Sequence, residues 1–350
     1  MTYRVVHCGT GRIGVAGLKG VLNHPDLELV GQYVWSPGKV GVDAGALCGM
    51  PDTGVRATND WDELFALNAD CLSYFGDTVG REMQSVQDVC RFLERGTNAV
   101  TISVLPWAYP PQMPPEFGKP ALEACEKGNS TAFFTGIDPG WATTDLAIAA
   151  LACADRVDCV RVQEVGWWGS YTAELASREY FGFGKPLDNE PLLITGGFLK
   201  HAWGPTLMHI ADVLDVEIED WNVVFESGSV DHDVETGFGI VEAGTASVVY
   251  FQLQALSGGR PIAIAEHSDR VARDAGPQFP APNGPGDLSY RIVVEGSPSY
   301  TLELNFDGED GRLMTAQTAI NAIPAVCAAT PGLKGPLDLP RYYTRNARRA

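Results

Sequence analysis

The chain has 350 residues, room for two domains of ordinary size, and 25 Lys plus Arg against 44 Asp plus Glu give it a net charge of -19. That surplus of negative charge repels polyanions over most of the surface and argues against a nucleic-acid partner. No apolar run approaches the roughly 20 residues of a membrane helix, and the first six residues lack the charged start and apolar core of a signal peptide, so no membrane partner is expected.

The first 140 residues alternate strand-like and helix-like segments. Arg4 to Cys8 reads as a strand, Ile13 to Asn23 as a helix, Leu27 to Trp35 as a strand, Trp61 to Leu67 as a helix and Ala69 to Phe75 as a strand. A helical stripe runs through Gln84 to Arg95, Asn98 to Leu105 is a strand, Pro120 to Lys127 a helix and Thr131 to Thr135 a strand. Strands separated by helices on short loops predict a Rossmann-type, doubly wound parallel α/β sheet, because parallel neighbours need a crossover.

After "GIDPGWATTDLAIAALA" the rhythm changes to Val157 to Trp168 (strand), Pro205 to Leu214 (helix) and then five strand-like runs: Trp221 to Ser229, Thr245 to Leu256, Ile262 to His267, Ser289 to Glu295 and Tyr300 to Phe306. This is the pattern of an α+β domain with a mixed or antiparallel sheet, interrupted by a Pro/Gly-rich loop from Asp274 to Asp287. Met314 to Ala329 regains helical spacing. The expected organisation is a dinucleotide-binding domain over residues 1–141, a substrate and dimerisation domain over 142–313, and a helix and tail over 314–340 returning to the first. The basic end from Arg341, Tyr342 to Ala350, is expected to be mobile.

Eight scattered cysteines without a CxxC, in a chain too large to need staples, predict a reduced cytoplasmic protein. The six histidines are isolated from one another and no metal site is expected. Asp231 and Asp233 flank His232, but alternation on a strand points the ring away from both carboxylates.

The stretch "VVHCGTGRIGVAGLKGVL" carries Gly9, Gly11 and Gly14 in GxGxxG spacing between the first strand and the first helix. The first glycine permits the tight turn, the second lets backbone approach a pyrophosphate, and the third allows close helix packing, with the helix amino end (Thr10, Arg12, Ile13) offering N–H groups to phosphate. At the end of the second strand "YVWSPGKVG" offers Ser36 and Lys39, and no acid precedes Asp43. A hydroxyl and a cation suit the 2′-phosphate of NADP better than the ribose of NAD, which remains possible, and Arg12 adds charge beside them. The loops "SYFGDTVG", with Gly76 and Asp77, and "SVLPWAYPP", with Trp107 and Tyr109, edge the same crevice. The aromatics Trp107, Tyr109, Trp141, Trp167, Trp168 and Tyr171 suggest an apolar pocket.

"GTGRIG" resembles the opening of dihydrodipicolinate reductases. "GIDPGWATTDLA", "VQEVGWW", "FGFGKP" and "TAINAIPAVCAATPGLKGPLDLP" resemble a reductase-like group that includes 2,4-diaminopentanoate dehydrogenase and the native amine dehydrogenases. The likeness spans Val5 to Pro340. It implies a Rossmann domain joined to an α+β domain, a homodimer, and NAD(P)H-dependent reductive amination of a small ketone or the reverse oxidation of an amine, with substrate in the groove between domains. Relatives that handle amines carry a glutamate in the loop after the strand matching Asn98 to Leu105. Here that loop, "TISVLPWAYPP", holds no acid, and the nearest is Glu116. Asp138, Glu164 and His267 are the candidate acid/base groups in its place, and Tyr109 and Tyr171 the candidate hydroxyl donors. Other carbonyl or imine reductases of the dihydrodipicolinate or homoserine dehydrogenase type, and a non-catalytic NADP-binding protein, share the same plan.

Overall fold

In the computed structural model, which describes residues 2–77, 80–308 and 310–345, the opening alternation becomes β1 (Tyr3–Cys8), α1 (Arg12–Asn23), β2 (Leu27–Tyr33), α2 (Ala44–Cys48), β3 (Ala57–Thr58), α3 (Trp61–Phe65), β4 (Cys71–Tyr74), α4 (Glu82–Leu93), β5 (Asn98–Thr101), α5 (Pro115–Gly128) and β6 (Thr131–Phe134). There follow α6 (Leu146–Leu151), β7 (Arg156–Trp167), α7 (Leu192–Thr195), α8 (Phe198–Leu214), β8 (Asp220–Gly228), β9 (Val234–Thr236), β10 (Gly239–Val241), β11 (Val248–Ser257), β12 (Arg260–Arg270), β13 (Leu288–Ser297) and β14 (Tyr300–Phe306). The chain closes with α9 (Asp310–Ala328) and β15 (Gly332–Lys334). Two units result, one built from residues up to Gly140 together with those from Arg312, the other from Trp141–Gly311.

In the first unit seven strands pair in parallel in the order β15-β6-β5-β4-β1-β2-β3. Successive residues of β1 serve opposite faces: Val5 packs with Leu18 and Val21 of α1 and with Ala316, Ile320 and Ile323 of α9, while Val6 and Cys8 pack with Val89 and Phe92 of α4 and Ala121 and Ala124 of α5. Both faces are therefore covered, which explains why these strands read as continuous apolar runs. The doubly wound parallel sheet matches the fold expected from sequence.

The second unit holds a six-stranded sheet in the order β14-β13-β7-β12-β11-β8, in which β7 and β12 run parallel and the other pairs antiparallel. One face, carrying Phe251, Leu253, Val162 and Ile292, is apolar except for a buried group of ionisable side chains, and α8 covers it on β11 and β12 through buried Trp203, Leu207 and Ile210. The other face is polar. There the Pro/Gly-rich loop is tied down by Arg270 donating to Pro280 O (2.7 Å), Arg291 to Ala281 O (2.7 Å), and Phe279 stacking on Tyr250 (4.7 Å between centroids).

Several boundaries differ from those the sequence suggests. Pro120 and Pro205, read as helix starts, lie inside α5 and α8, which begin at Pro115 and Phe198. Burial of Leu199, Ala202 and Trp203 ahead of Pro205 carries α8 through the proline. The strand from Asn98 stops at Thr101 rather than Leu105, because Thr101 Oγ1 turns back to Tyr74 O (3.1 Å) and accepts Ser103 N–H (2.9 Å). His232 sits in a bend, not on a strand, and its Nδ1 meets Asp231 Oδ1 at 3.3 Å, so the alternation that pointed it away from the carboxylates does not apply. Tyr342 and Arg345, placed in a mobile tail, are held by Phe133 (6.5 Å between rings) and Asp26 (3.6 Å). The rest of that tail, residues 346–350, lies outside the described residues, as do Thr78 and Val79 of "SYFGDTVG".

Candidate active site

The glycine turn sits between the carboxyl ends of β2 and β4. Gly9 N–H donates to Tyr33 O (3.2 Å), and Phe75 N–H to Cys8 O (2.8 Å). Gly9 has φ +111°, and a Cβ there would lie 2.3 Å from Phe75 O; a Cβ on Gly14 would lie 2.7 Å from Gly9 O. Both positions are closed to any side chain. Gly11 differs, since a Cβ there would meet nothing within 4 Å. It is exposed, and it precedes α1 with no side chain capping the helix. The first N–H groups of α1 therefore border open space, an arrangement that fits a pyrophosphate.

His7, fully buried under this turn, fixes it from below. Its Nε2 lies 2.9 Å from Gly14 O, which can only accept, so Nε2 carries the proton and Nδ1 accepts from Ser73 Oγ at 3.1 Å. Burial drives its pKa down to about 4, so the ring is neutral.

At the end of β2 Lys39 turns back to the glycines, its Nζ donating to Thr10 O (3.1 Å) and Oγ1 (2.9 Å). Ser36 is exposed beside it, Arg12 is exposed in the first turn of α1, and Ile13 packs into the core. Asp43, the first acid after β2, faces away: its carboxylate accepts from Gly45, Thr53 and Gly54 N–H groups (2.8–3.0 Å) and so caps α2. In the loop after β4, Gly76 O accepts from Ser103 Oγ (2.8 Å) and Asp77 is exposed.

Of the candidate acid/base groups, Glu164 and His267 come together in the second unit. Parallel register pairs them directly across β7 and β12, both nearly fully buried, with ionisable atoms within 4.8 Å of one another. His267 stacks on Phe251 (4.5 Å) and meets the edge of Trp203 (4.6 Å). Asp269, two residues along the same face and fully buried, brings Oδ2 to 3.7 Å from His267 Nδ1. Asp138 lies in extended backbone (φ -149°, ψ 121°) just before Gly140 closes the first unit's opening segment. Tyr109 is 6% exposed in the first unit, and Tyr171 is half-buried against Trp168 (4.8 Å).

Two of the aromatics expected to wall a pocket do not. Trp107 is fully buried in the first unit's core, its Nε1 donating to Phe117 O (3.0 Å). Trp167 follows the alternation of β7 to the face opposite Glu164, where it donates to Val271 O and lies under the Arg273 guanidinium. Sequence reasoning missed Asp145, whose carboxyl burial pushes up to about 6, because an Asp at a helix start reads as a cap; it makes no such bond. It also missed Asp269, which the two-residue spacing from His267 on one strand signals.

The 2,4-diaminopentanoate dehydrogenase C-terminal domain family matches residues 199–347. An amine dehydrogenase from Streptomyces virginiae is 30% identical over 340 residues, covering 95% of this chain and 94% of the relative. Among solved structures, an amine dehydrogenase from Mycobacterium smegmatis superposes with a TM-score of 0.76 at 21% identity, covering 99% of this chain and 98% of that one. GenD2 from gentamicin A biosynthesis, in complex with NAD, gives 0.52 at 14% identity over 93% of this chain and 86% of its own. Sustained over nearly its whole length, the likeness to the Streptomyces protein makes this chain a member of the amine dehydrogenase family of oxidoreductases.

Proposed function

We propose that the protein is an NAD(P)H-dependent amine dehydrogenase acting on a small carbonyl, imine or amine compound. In the reductive direction a ketone, ammonia, a proton and the reduced dinucleotide give an amine, water and the oxidised dinucleotide. The bound nicotinamide supplies or takes the hydride. The single observation carrying the reading, beyond family membership, is the glycine turn whose middle position is open while its outer two are sterically closed.

In this reading Gly9, Thr10, Gly11, Arg12, Ile13 and Gly14 receive the pyrophosphate, with Gly76 and Asp77 near the nicotinamide half. Ser36 and Lys39 favour NADP, supported by the diversion of Asp43 into the α2 cap, although NAD is the ligand in the GenD2 structure. Glu164 and His267 stand in for the loop glutamate. Glu164 orients ammonia and takes the proton its nitrogen loses as it bonds to the carbonyl carbon, and His267, with Asp269 beside it, delivers the proton that leaves with the carbonyl oxygen as water. Asp138 and Tyr109 assist as a second acid and a hydroxyl donor. The family resemblance favours a homodimer, and eight free cysteines fit a reducing, cytoplasmic setting.

Titration with NADPH and NADH, read by nucleotide fluorescence, followed by a ketone panel with and without ammonia, tests this. Binding with ammonia-dependent NADPH oxidation is expected. Turnover that ignores ammonia indicates plain carbonyl reduction, which the acid-free loop after β5 would then explain. Binding with no turnover on any carbonyl, imine or amine leaves a non-catalytic binder.

A further inference from the structure

The guanidinium of Arg81 lies over the indole of Trp35, 5.5 Å from the ring centroid. Trp35 follows β2 and Arg81 precedes α4, which follows β4; since β4 and β2 flank β1 in the sheet, both residues stand at the strand ends that bracket the glycine turn. Trp35 is held edge-on by Tyr33 (5.2 Å) and Tyr74 (5.9 Å), so the platform is fixed. Among the described residues Arg81 makes no ion pair. Asp88, which lies beside Tyr74, is engaged: it accepts from Tyr74 OH (3.0 Å) and Gln84 Nε2 (2.9 Å).

A guanidinium lying over a ring on one side has N–H groups to offer on its other side, where they can grip a phosphate with charge-assisted bonds. Lys39, already donating to Thr10, cannot supply that grip alone. We propose that Arg81, braced by Trp35, is the residue that binds the adenosine 2′-phosphate and sets the preference for NADP over NAD. The assignment rests on the proposed dinucleotide site and deepens it. The 2′-phosphate binds between Arg81 and the Ser36–Lys39 turn.

The test is calorimetric titration of the full chain and of Arg81→Gln with NADPH, NADH and 2′,5′-ADP. Losing one charge-assisted phosphate contact should weaken NADPH and 2′,5′-ADP about tenfold or more, while NADH changes by less than about threefold. Trp35→Leu should shift the same two ligands in the same direction through loss of the brace. Equal weakening of NADPH and NADH in Arg81→Gln, or no change in either, overturns the role of Arg81 and leaves the dinucleotide site standing. If the unaltered protein binds neither NADPH nor NADH, the dinucleotide site itself is wrong and this inference falls with it.

Discussion

Glu164 and His267 are register partners on the two parallel strands of the second unit's sheet, so both side chains leave the same face, toward Trp203 and away from the polar row on the other side. Parallel pairing fixes this through burial of one face: a slip of one residue in β12 would exchange His267 for Glu266. Two buried ionisable groups so placed can serve one bound molecule. Removing either group should therefore damage proton transfer more than binding. Glu164→Gln and His267→Asn are each expected to lower kcat of ammonia-dependent turnover by about a hundredfold or more, with KM for NADPH unchanged. A change confined to KM would remove both from the chemistry.

The glycines of the turn should separate folding from binding. Gly9→Ala places a Cβ against Phe75 O at a positive φ, and a loss of about 3 kcal/mol is expected from strain and overlap. A Cβ on Gly11 meets no protein atom within 4 Å, so thermal unfolding of Gly11→Val should fall within a few degrees of the parent, while the isopropyl group occupies the space proposed for phosphate. Circular dichroism melts and NADPH titrations of the two variants check this. A Gly11→Val protein that binds NADPH normally would move the pyrophosphate elsewhere.

Much of this architecture is legible in the sequence because the first unit obeys local rules. Its strands are continuous apolar runs, and α1 follows GxGxxG at the spacing a phosphate turn requires. The errors have a common cause. Pro120 and Pro205 are read as helix starts because proline suits a first turn, yet packing of Gly118 and of Ala202 and Trp203 holds helix on their amino-terminal sides. At the site, the pairing of Glu164 with His267 depends on which strands are neighbours, and β7 and β12 are separated by about a hundred residues, so no local pattern discloses it. Trp107 and Trp167 show the converse: an aromatic in a loop or at a strand end gives no sign of whether it fills a core or lines a pocket.

His7 makes the nucleotide unit acid-sensitive. Its pKa is about 4 when buried and near 6.5 when the chain unfolds, so between those values the unfolded state binds a proton that the folded state does not. Stability from this group is complete above pH 6.5 and falls as pH drops toward 4, by about 3 kcal/mol in all. Denaturant midpoints measured from pH 7 to 4.5 should decline, and His7→Gln, which keeps polar atoms beside Gly14 O and Ser73, should flatten that decline. An unchanged slope in the variant would assign the acid sensitivity to other groups.

Glu266 tests the opposite face of β12. It is 4% exposed and accepts from Arg161 (2.8 Å) and Gln163 (2.9 Å) at one oxygen and from Tyr250 OH (2.8 Å) at the other. Burial opposes its ionisation, but the bonds from Gln163, Arg161 and Tyr250 outweigh that and hold the carboxyl below its usual value. Its contribution is therefore present above pH 4.5 and lost as pH falls through the lower folded value. Glu266→Gln leaves three donors competing for one neutral amide and the Arg161 charge with only its 3.9 Å contact to the exposed Glu295 carboxylate, at a cost of about 3 kcal/mol. Arg161→Gln should cost less, about 1 kcal/mol, because Arg161 is a quarter exposed and Glu266 keeps two donors. Denaturant melts of the two variants above pH 6 rank them. Because Glu266 and His267 face opposite sides of the sheet, Glu266→Gln should reduce stability while leaving kcat of the folded enzyme within about twofold of the parent, the reverse of His267→Asn.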